Sequence, residues 1–481
     1  MNELPAELVA LVVEHCTSDT LEQLRLVNKL WNEPATVQLF EHFYMGIFDK
    51  SLSNLVNVSN SRLAKYIMCV TVYVDLLPDG SYHKGFMRTP AEIIIGAVSK
   101  PRMDRARSKL VAMRAQQTRW HEFQEGLVFK EHIARLPNLR EVNCVCANSC
   151  FGRFGLCSLP ASYLFPRCIR FEPNEVSASS YMLTYDHATE DFARRITLMV
   201  LEAIALRSSF SGTKPITSLK ISGWHAGAWE AMYIYLRSID RHLIPTQPDQ
   251  SNFPRQMNMA AEAFAFLTKL NWRICYECSD PVEAQRLVRE AARLLTAAKQ
   301  LRSLTLALLA LNTDSSRNRS PHTHNQPGQV VVATILSPSM SWPQLEHLRL
   351  SIDVSHAVLL PFLRSLAPSL RSLELVNMSV DDADALIVQI PRILTLDRIY
   401  LRRIWHPLSG GSACLFPVGI HASTALEKSI QAYLMLEFTR VLHLQANTGY
   451  RPSSPTDEDG YDDLHALAED EEDYIRSVDR L

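Results

Sequence analysis

One arrangement of leucines limits what this 481-residue chain can fold into. The core Leu-x-x-Leu-x-Leu occurs at Leu301-Leu304-Leu306, Leu345-Leu348-Leu350 and Leu370-Leu373-Leu375, and with one aliphatic exchange at Leu396-Ile399-Leu401. Looser copies stand at Leu136-Leu139-Val142, Ile216-Leu219-Ile221 and Leu267-Leu270. The closing Leu-x-Leu is the period-two mark of a short strand with one face buried. From Leu345 to Leu370 is 25 residues, and from Leu370 to Leu396 is 26. The 44 residues from Leu301 to Leu345 include an 18-residue polar stretch, 312–329 (Asn312 to Gln329), rich in Ser, Asn, Arg and His. Read as one loop insertion, that stretch leaves a step of 26.

Strand cores at this spacing, alternating with helices, predict an α/β chain, and a period of 20–29 residues with these leucines is that of leucine-rich repeats. Residues 355–366, 381–390 and 280–295 read as the intervening amphipathic helices; Asp280 caps the last, with Pro281 first and Glu283 third. Val70 to Val74 alternates as a strand, and 102–133 reads as one long helix ending before Pro137. A single strand–helix unit cannot bury its own apolar face. The expectation is therefore an irregular leucine-rich-repeat solenoid, a horseshoe, over 136–445, closed by an apolar helix at 425–444. Residues 46–135 are expected to hold a helical linker and the first strand–helix unit. Between Asp457 and Asp473 stand ten acidic residues and no Lys or Arg, so 446–481 reads as a disordered acidic tail beyond a hinge at Arg451 to Pro455.

The first 45 residues keep a helical period instead. Pro5 suits a first helical turn, and Leu8, Leu11 and Val12 share a face. Asp19 and Glu22 have capping-box spacing ahead of Leu21, Leu24 and Val27. Pro34 is expected to end that helix after Trp31 and to start a third carrying Val37, Phe40 and Tyr44. Three helices this short bury apolar surface poorly and lean on a partner. The run Leu4-Pro5-Ala6-Glu7-Leu8, then Leu24-Arg25-Leu26-Val27-Asn28-Lys29, Trp31 and Phe40, resembles an F-box, with Asn28 where that family often has Cys or Ser. The stretch from Ser51 to Pro78 resembles the segment after the F-box in many fungal members, which commonly continue into irregular leucine-rich repeats.

The resemblance implies a non-catalytic adaptor. Residues 1–45 would dock on a Skp-family adaptor, and through it a cullin, in an SCF-type ubiquitin ligase. Leu4, Pro5, Leu8, Val12, Leu24, Val27 and Trp31 are the candidate contacts; internal packing competes for them, as it does for Leu11, Leu21 and Phe40. On a solenoid, the residue between the paired leucines faces the concave side. That gives Lys220, Thr305, Arg349, Glu374 and Tyr400, continued by Arg402 and Trp405, as the surface for an unknown protein substrate. Arginine suits bidentate contact with carboxylate or phosphate, so an acidic peptide or phosphopeptide is one ligand class, and a solvated face without ligand is the alternative. A repeat scaffold acting outside ubiquitination is the rival use of the same parts.

Other functions find no positive signal in the sequence, an enzyme with an unrecognised site being the third class. A net charge of -2, from 49 Lys and Arg against 51 Asp and Glu, does not supply the basic surplus that nucleic acid requires, and the seven basic residues of 100–119 read as a solvated helix face. Cys144, Cys146, Cys150 and Cys157 are irregularly spaced and Cys275-x-x-Cys278 stands alone, so no metal and no cofactor are expected. The phosphate-binding, dinucleotide and hydrolase motifs are missing, so no catalytic residue is singled out. The apolar runs stop far short of the roughly 20 residues of a membrane span. Met1-Asn2-Glu3 opens without a basic stretch, so the chain is expected in the cytoplasm and/or nucleus with reduced thiols.

Overall fold

The computed structural model describes residues 4–74, 112, 115–117, 124–145, 187–226, 252–277, 291–311, 332–337, 342–408, 411–415 and 420–423. The chain divides into two compact units. One comprises Met1–Ala147, Leu159–Thr184 and Arg195–Lys220; the other comprises Asn148–Ser158, Tyr185–Arg194 and Ile221–Leu481.

The first unit opens with three helices, α1 (Ala6–Glu14), α2 (Ser18–Val27) and α3 (Lys29–Glu41). Their ends differ from the sequence expectation. Thr17, not Asp19, caps α2, its Oγ1 accepting from the Thr20 N–H at 3.3 Å, and Asp19 sits in the first turn. The break between α2 and α3 falls at Asn28, whose Oδ1 accepts from the N–H groups of Leu30 and Trp31 at 2.9 and 3.2 Å. A good N-cap decides this boundary. Pro34 lies inside α3 and forgoes one backbone hydrogen bond there. The third helix also stops earlier than its apolar period suggests: His42–Gly46, including Tyr44, is strand β1.

Strand β1 pairs in parallel with β2 (Cys69–Tyr73), which pairs in parallel with β3 (Glu141–Val145). All five residues of β2 are buried. Helices α4 (Asp49–Ser59), α5 (Gln124–Arg135) and α6 (His187–Leu206) supply Leu55, Phe129, Ile133, Val200 and Leu201 to the core. The Ser59 hydroxyl meets His132 Nδ1 at 2.7 Å, joining α4 to α5, and Lys130 Nζ meets Glu202 Oε2 at 2.6 Å, joining α5 to α6. Just beyond α6, the buried Arg207 guanidinium donates to the carbonyls of Ile133, Ala134, Leu136, Leu139 and Lys214. Three of these carbonyls lie at or just beyond the C-terminus of α5, the negative end of its dipole. Burial pulls the guanidinium down to about 10, so it stays charged at neutral pH.

Strand β4 (Ser218–Ala226) comes after Arg207 in the chain, and helix α7 (Asn252–Phe264) precedes the strands of the second unit. There, β5 (Lys269–Glu277), β6 (Ser303–Leu311), β7 (His347–Ser351), β9 (Ser372–Val380) and β10 (Arg398–Leu408) are parallel neighbours in chain order. The two-residue β8 (Asp353–Val354) pairs with β9, and β11 (Gly411–Leu415) and β12 (Ile420–Ser423) run antiparallel to β10. Helix α8 (His356–Leu366) lies between β8 and β9, and α9 (Ala383–Ile393) between β9 and β10. Ser355 and Asp382 cap them, as the expected helices at 355–366 and 381–390 require. Leu304, Leu348, Leu373 and Ile399 are in register across four strands, as are Leu306, Leu350, Leu375 and Leu401, and all eight are buried. Trp342 is buried beside Phe362 and donates its indole N–H to the Leu295 carbonyl at 3.1 Å.

The leucine pattern thus locates the strands and their buried face, but the architecture drawn from it is corrected. The structure shows a parallel sheet with helices, an α/β arrangement, and not a helical F-box followed by a leucine-rich-repeat horseshoe; only the α/β class agrees. Two findings overturn the finer expectation. Strand β1 begins at His42, inside the segment assigned to the helical module. Successive parallel strands also lack a common period: those beginning at Cys69, Glu141, Ser218, Lys269 and Ser303 are separated by 34 residues or more. Leu-x-Leu records only that one side of a strand is covered, and any α/β sheet meets that condition. No helix among the described residues is long and apolar enough to cross a membrane. The helix expected at 425–444, the acidic tail and the 312–329 insertion lie outside the described residues.

Candidate functional site

Helix α1 has almost no polar face. Of its nine residues only Glu7 and Glu14 are charged, and the rest are apolar. Val9 and Val13, one turn apart, are 1% and 2% exposed and pack with Leu21, Trp31 and Ala35 in the cluster that holds the three helices together. On the other side Leu8, Leu11 and Val12 are 47%, 52% and 47% exposed. Helices apolar all round are normally covered on all sides, and this one is covered on one. At the end of α2, Leu26 and Val27 add to the exposed surface at 87% and 62%.

Polar contacts within the module hold α2 in place without covering these side chains. Arg25 Nε donates to Thr36 Oγ1 at 3.0 Å, with the guanidinium 5.2 Å from the Phe40 ring centre. Asn32 Nδ2 donates to the Arg25 carbonyl at 2.6 Å. The α2 terminus is therefore tied to α3 through its backbone and Arg25.

The seven candidate adaptor residues divide accordingly. Leu4, Pro5, Leu8, Val12 and Val27 are exposed, whereas Leu24 is partly buried against the helical core and Trp31 is turned into it. Among the competitors for internal packing, Leu21 is buried but Leu11 is exposed. Leu11 and Leu26 are exposed residues that the sequence did not single out for docking. Leu11 carried a signal, since it shares the period of Leu8; Leu26 carried none, because the Leu-Arg-Leu-Val run does not reveal which of its apolar residues points outward.

A second surface lies on the sheet. Thr305, Arg349, Glu374 and Tyr400 are aligned across β6, β7, β9 and β10, on the face opposite the leucine rows, and each is half-buried. Arg349 Nη1 lies 3.6 Å from Glu374 Oε2, so part of the row is spent on an internal ion pair. Arg402 comes next in β10 opposite Val376, and Trp405 is opposite Ser379. Lys220 lies in β4 between Leu219 and Ile221 and belongs to the first unit.

Cys69 and Cys144 are buried, and desolvation pushes both thiols up to about 12, far from a reactive thiolate. Cys146, Cys150, Cys157 and Cys278 lie outside the described residues. Among the described residues no group of three His, Cys, Asp or Glu could hold a metal ion. Comparison of the chain with protein-family models and with curated proteins gives no match.

Proposed function

We propose that this chain is a non-catalytic, substrate-recognising adaptor of an SCF-type ubiquitin ligase, docking on a Skp-family subunit through α1 and α2. The observation that carries the reading is the exposed apolar set Leu8, Leu11, Val12, Leu26 and Val27 on a helical pair whose opposite side is already packed. Covering these five side chains, each about half exposed or more, stabilises a complex by at least roughly 4–7 kcal/mol before the cost of association. Amphipathic helices laid into apolar grooves are recognised in this way. The F-box-like order of residues from Leu4 to Trp31 supports a groove of the Skp-family class. The polar face of the second unit's sheet, with Thr305, Arg349, Glu374, Tyr400 and Arg402, is the surface for the protein substrate. Ubiquitin transfer then gains its rate from proximity, and no acid, base or nucleophile is needed from this chain.

The test is recovery of partners with the tagged full chain. A Skp-family adaptor and a cullin should co-purify, and Leu8→Asp with Leu26→Asp should remove both while the chain stays folded. Adaptor without cullin would favour a binding scaffold outside ubiquitination. Unchanged recovery of both partners by the double variant would end the proposal.

A further inference from the structure

The sheet of the second unit has a rim as well as faces. Arg302, Glu346 and Arg371 each stand just before a strand, β6, β7 and β9 in turn. A repeated pair of bonds fixes their backbones. The Arg302 carbonyl accepts from the N–H groups of Glu346 and His347, both at 2.9 Å, and the Glu346 carbonyl accepts from those of Arg371 and Ser372 at 2.8 and 2.9 Å. The three residues are therefore consecutive along the rim, and the two arginines start two strand spacings apart, about 10 Å. They line one cavity of about 380 Å³, with Pro343, Gln344 and Ser369 completing its wall. Asp397, which continues the rim ahead of β10, does not line it. Both arginines are exposed and Glu346 is half-buried, and among the described residues none of these three side chains is engaged in a hydrogen bond or ion pair.

We propose that this cavity binds a small phosphorylated polyol, of the sugar-phosphate class, with its phosphate between Arg302 and Arg371 and a hydroxyl on Glu346. An extended arginine side chain covers more than half the distance between the two, so both forks reach one oxyanion. A carboxylate presents one edge to a fork, whereas a phosphate monoester carries nearly two charges on three terminal oxygens and serves two forks from two sides. Glu346 decides what stands next to the phosphate. An ionised carboxylate only accepts hydrogen bonds, so it repels a bare anion but takes a hydroxyl donor beside one. The Gln344 amide offers a further donor and acceptor on the same wall. The volume lies within the range of small-molecule sites, about 300–1,000 Å³. This inference is independent of the role proposed for α1 and α2.

The probe is ribose 5-phosphate, titrated into the full chain beside ribose, inorganic phosphate and a phosphoserine peptide, with binding read by ligand NMR. Ribose 5-phosphate should bind at least about tenfold more tightly than each of the other three. Arg302→Gln and Arg371→Gln should each weaken it about tenfold or more, the loss expected for one charged hydrogen-bonding partner. Glu346→Gln should act in the opposite sense on inorganic phosphate, tightening it, and should erase most of the advantage of ribose 5-phosphate. Arg62→Gln, at an exposed position of the first unit, should change neither. Both cavity arginines are exposed, so their variants should keep the native urea midpoint. Absence of saturable ribose 5-phosphate binding at about 10 mM, or binding that neither arginine variant weakens beyond Arg62→Gln, would overturn the proposal. Tighter binding of the phosphoserine peptide than of ribose 5-phosphate would overturn it as well.

Discussion

Arg25 donates to the hydroxyl of Thr36 at 3.0 Å, so the last turn of α2 is fixed to the middle of α3 by a polar bond while its neighbours Leu26 and Val27 stay outside. Thr36→Val leaves the Arg25 Nε–H without its acceptor in a largely buried place. The expected loss is about 1–2 kcal/mol in urea unfolding. Leu26→Ser should stay within about 0.5 kcal/mol of the parent.

Helix α1 makes a similar contrast between nearby residues. Val13→Ala opens a cavity in the helical core and should cost about 2 kcal/mol. Leu8→Ser removes surface that touches no core and should leave the unfolding midpoint unchanged. If Leu8→Ser proved as destabilising as Val13→Ala, Leu8 would be internal packing and not a docking residue.

Arg207 neutralises the carbonyl ends of several turns at once. Replacing it by Met takes a charged donor from the carbonyls of Ile133, Ala134, Leu136, Leu139 and Lys214 at once and should cost about 3 kcal/mol or more, because removing one side of a buried charged hydrogen-bond network is the expensive case. Arg207→Lys should recover only part of that loss, since an ammonium cannot spread its donors over five acceptors. Chemical denaturation of the three chains side by side measures both differences.

Acid should act on the second unit through Asp381. Burial raises its carboxyl, but hydrogen bonds from the His356 backbone, the Ser355 hydroxyl and the His356 ring outweigh burial and bring it down from 3.8 to about 2. A carboxyl held below its unfolded value stabilises the fold above about pH 4, and that contribution disappears as pH falls through about 2. Between pH 4 and pH 2 the native urea midpoint should fall more steeply than that of Asp381→Asn. Parallel slopes would show that the His356–Asp381 contact contributes nothing to folding.

Part of this fold is legible in the residues themselves. Leu304, Leu348, Leu373 and Ile399 announce their strands because alternation is a local property, and Ser355 and Asp382 announce their helices because a cap acts over three residues. Features set at longer range are not legible in this way. Whether strands in such a series share one period depends on the connections between them, and these run from a few residues to dozens. Trp31 and Leu26 show the limit at the proposed docking surface. Both stand in the run that resembles an F-box, yet one completes the helical core and the other is almost wholly exposed, and only the packing of α2 on α3 separates them. Asn28 shows the reverse case: a cap is there to be read, and Pro34 draws the expected boundary away from it.

The central claim is that the exposed side of α1 and α2 is a docking surface for a Skp-family adaptor. Calorimetric titration of purified adaptor into the full chain measures this directly. The account predicts saturable one-to-one binding with a negative heat-capacity change, lost when Leu8 and Leu26 are both changed to Asp and kept when Arg349 and Arg402 are changed to Ala. Absence of binding by the native chain, or identical binding by the Leu8, Leu26 variant, would contradict it.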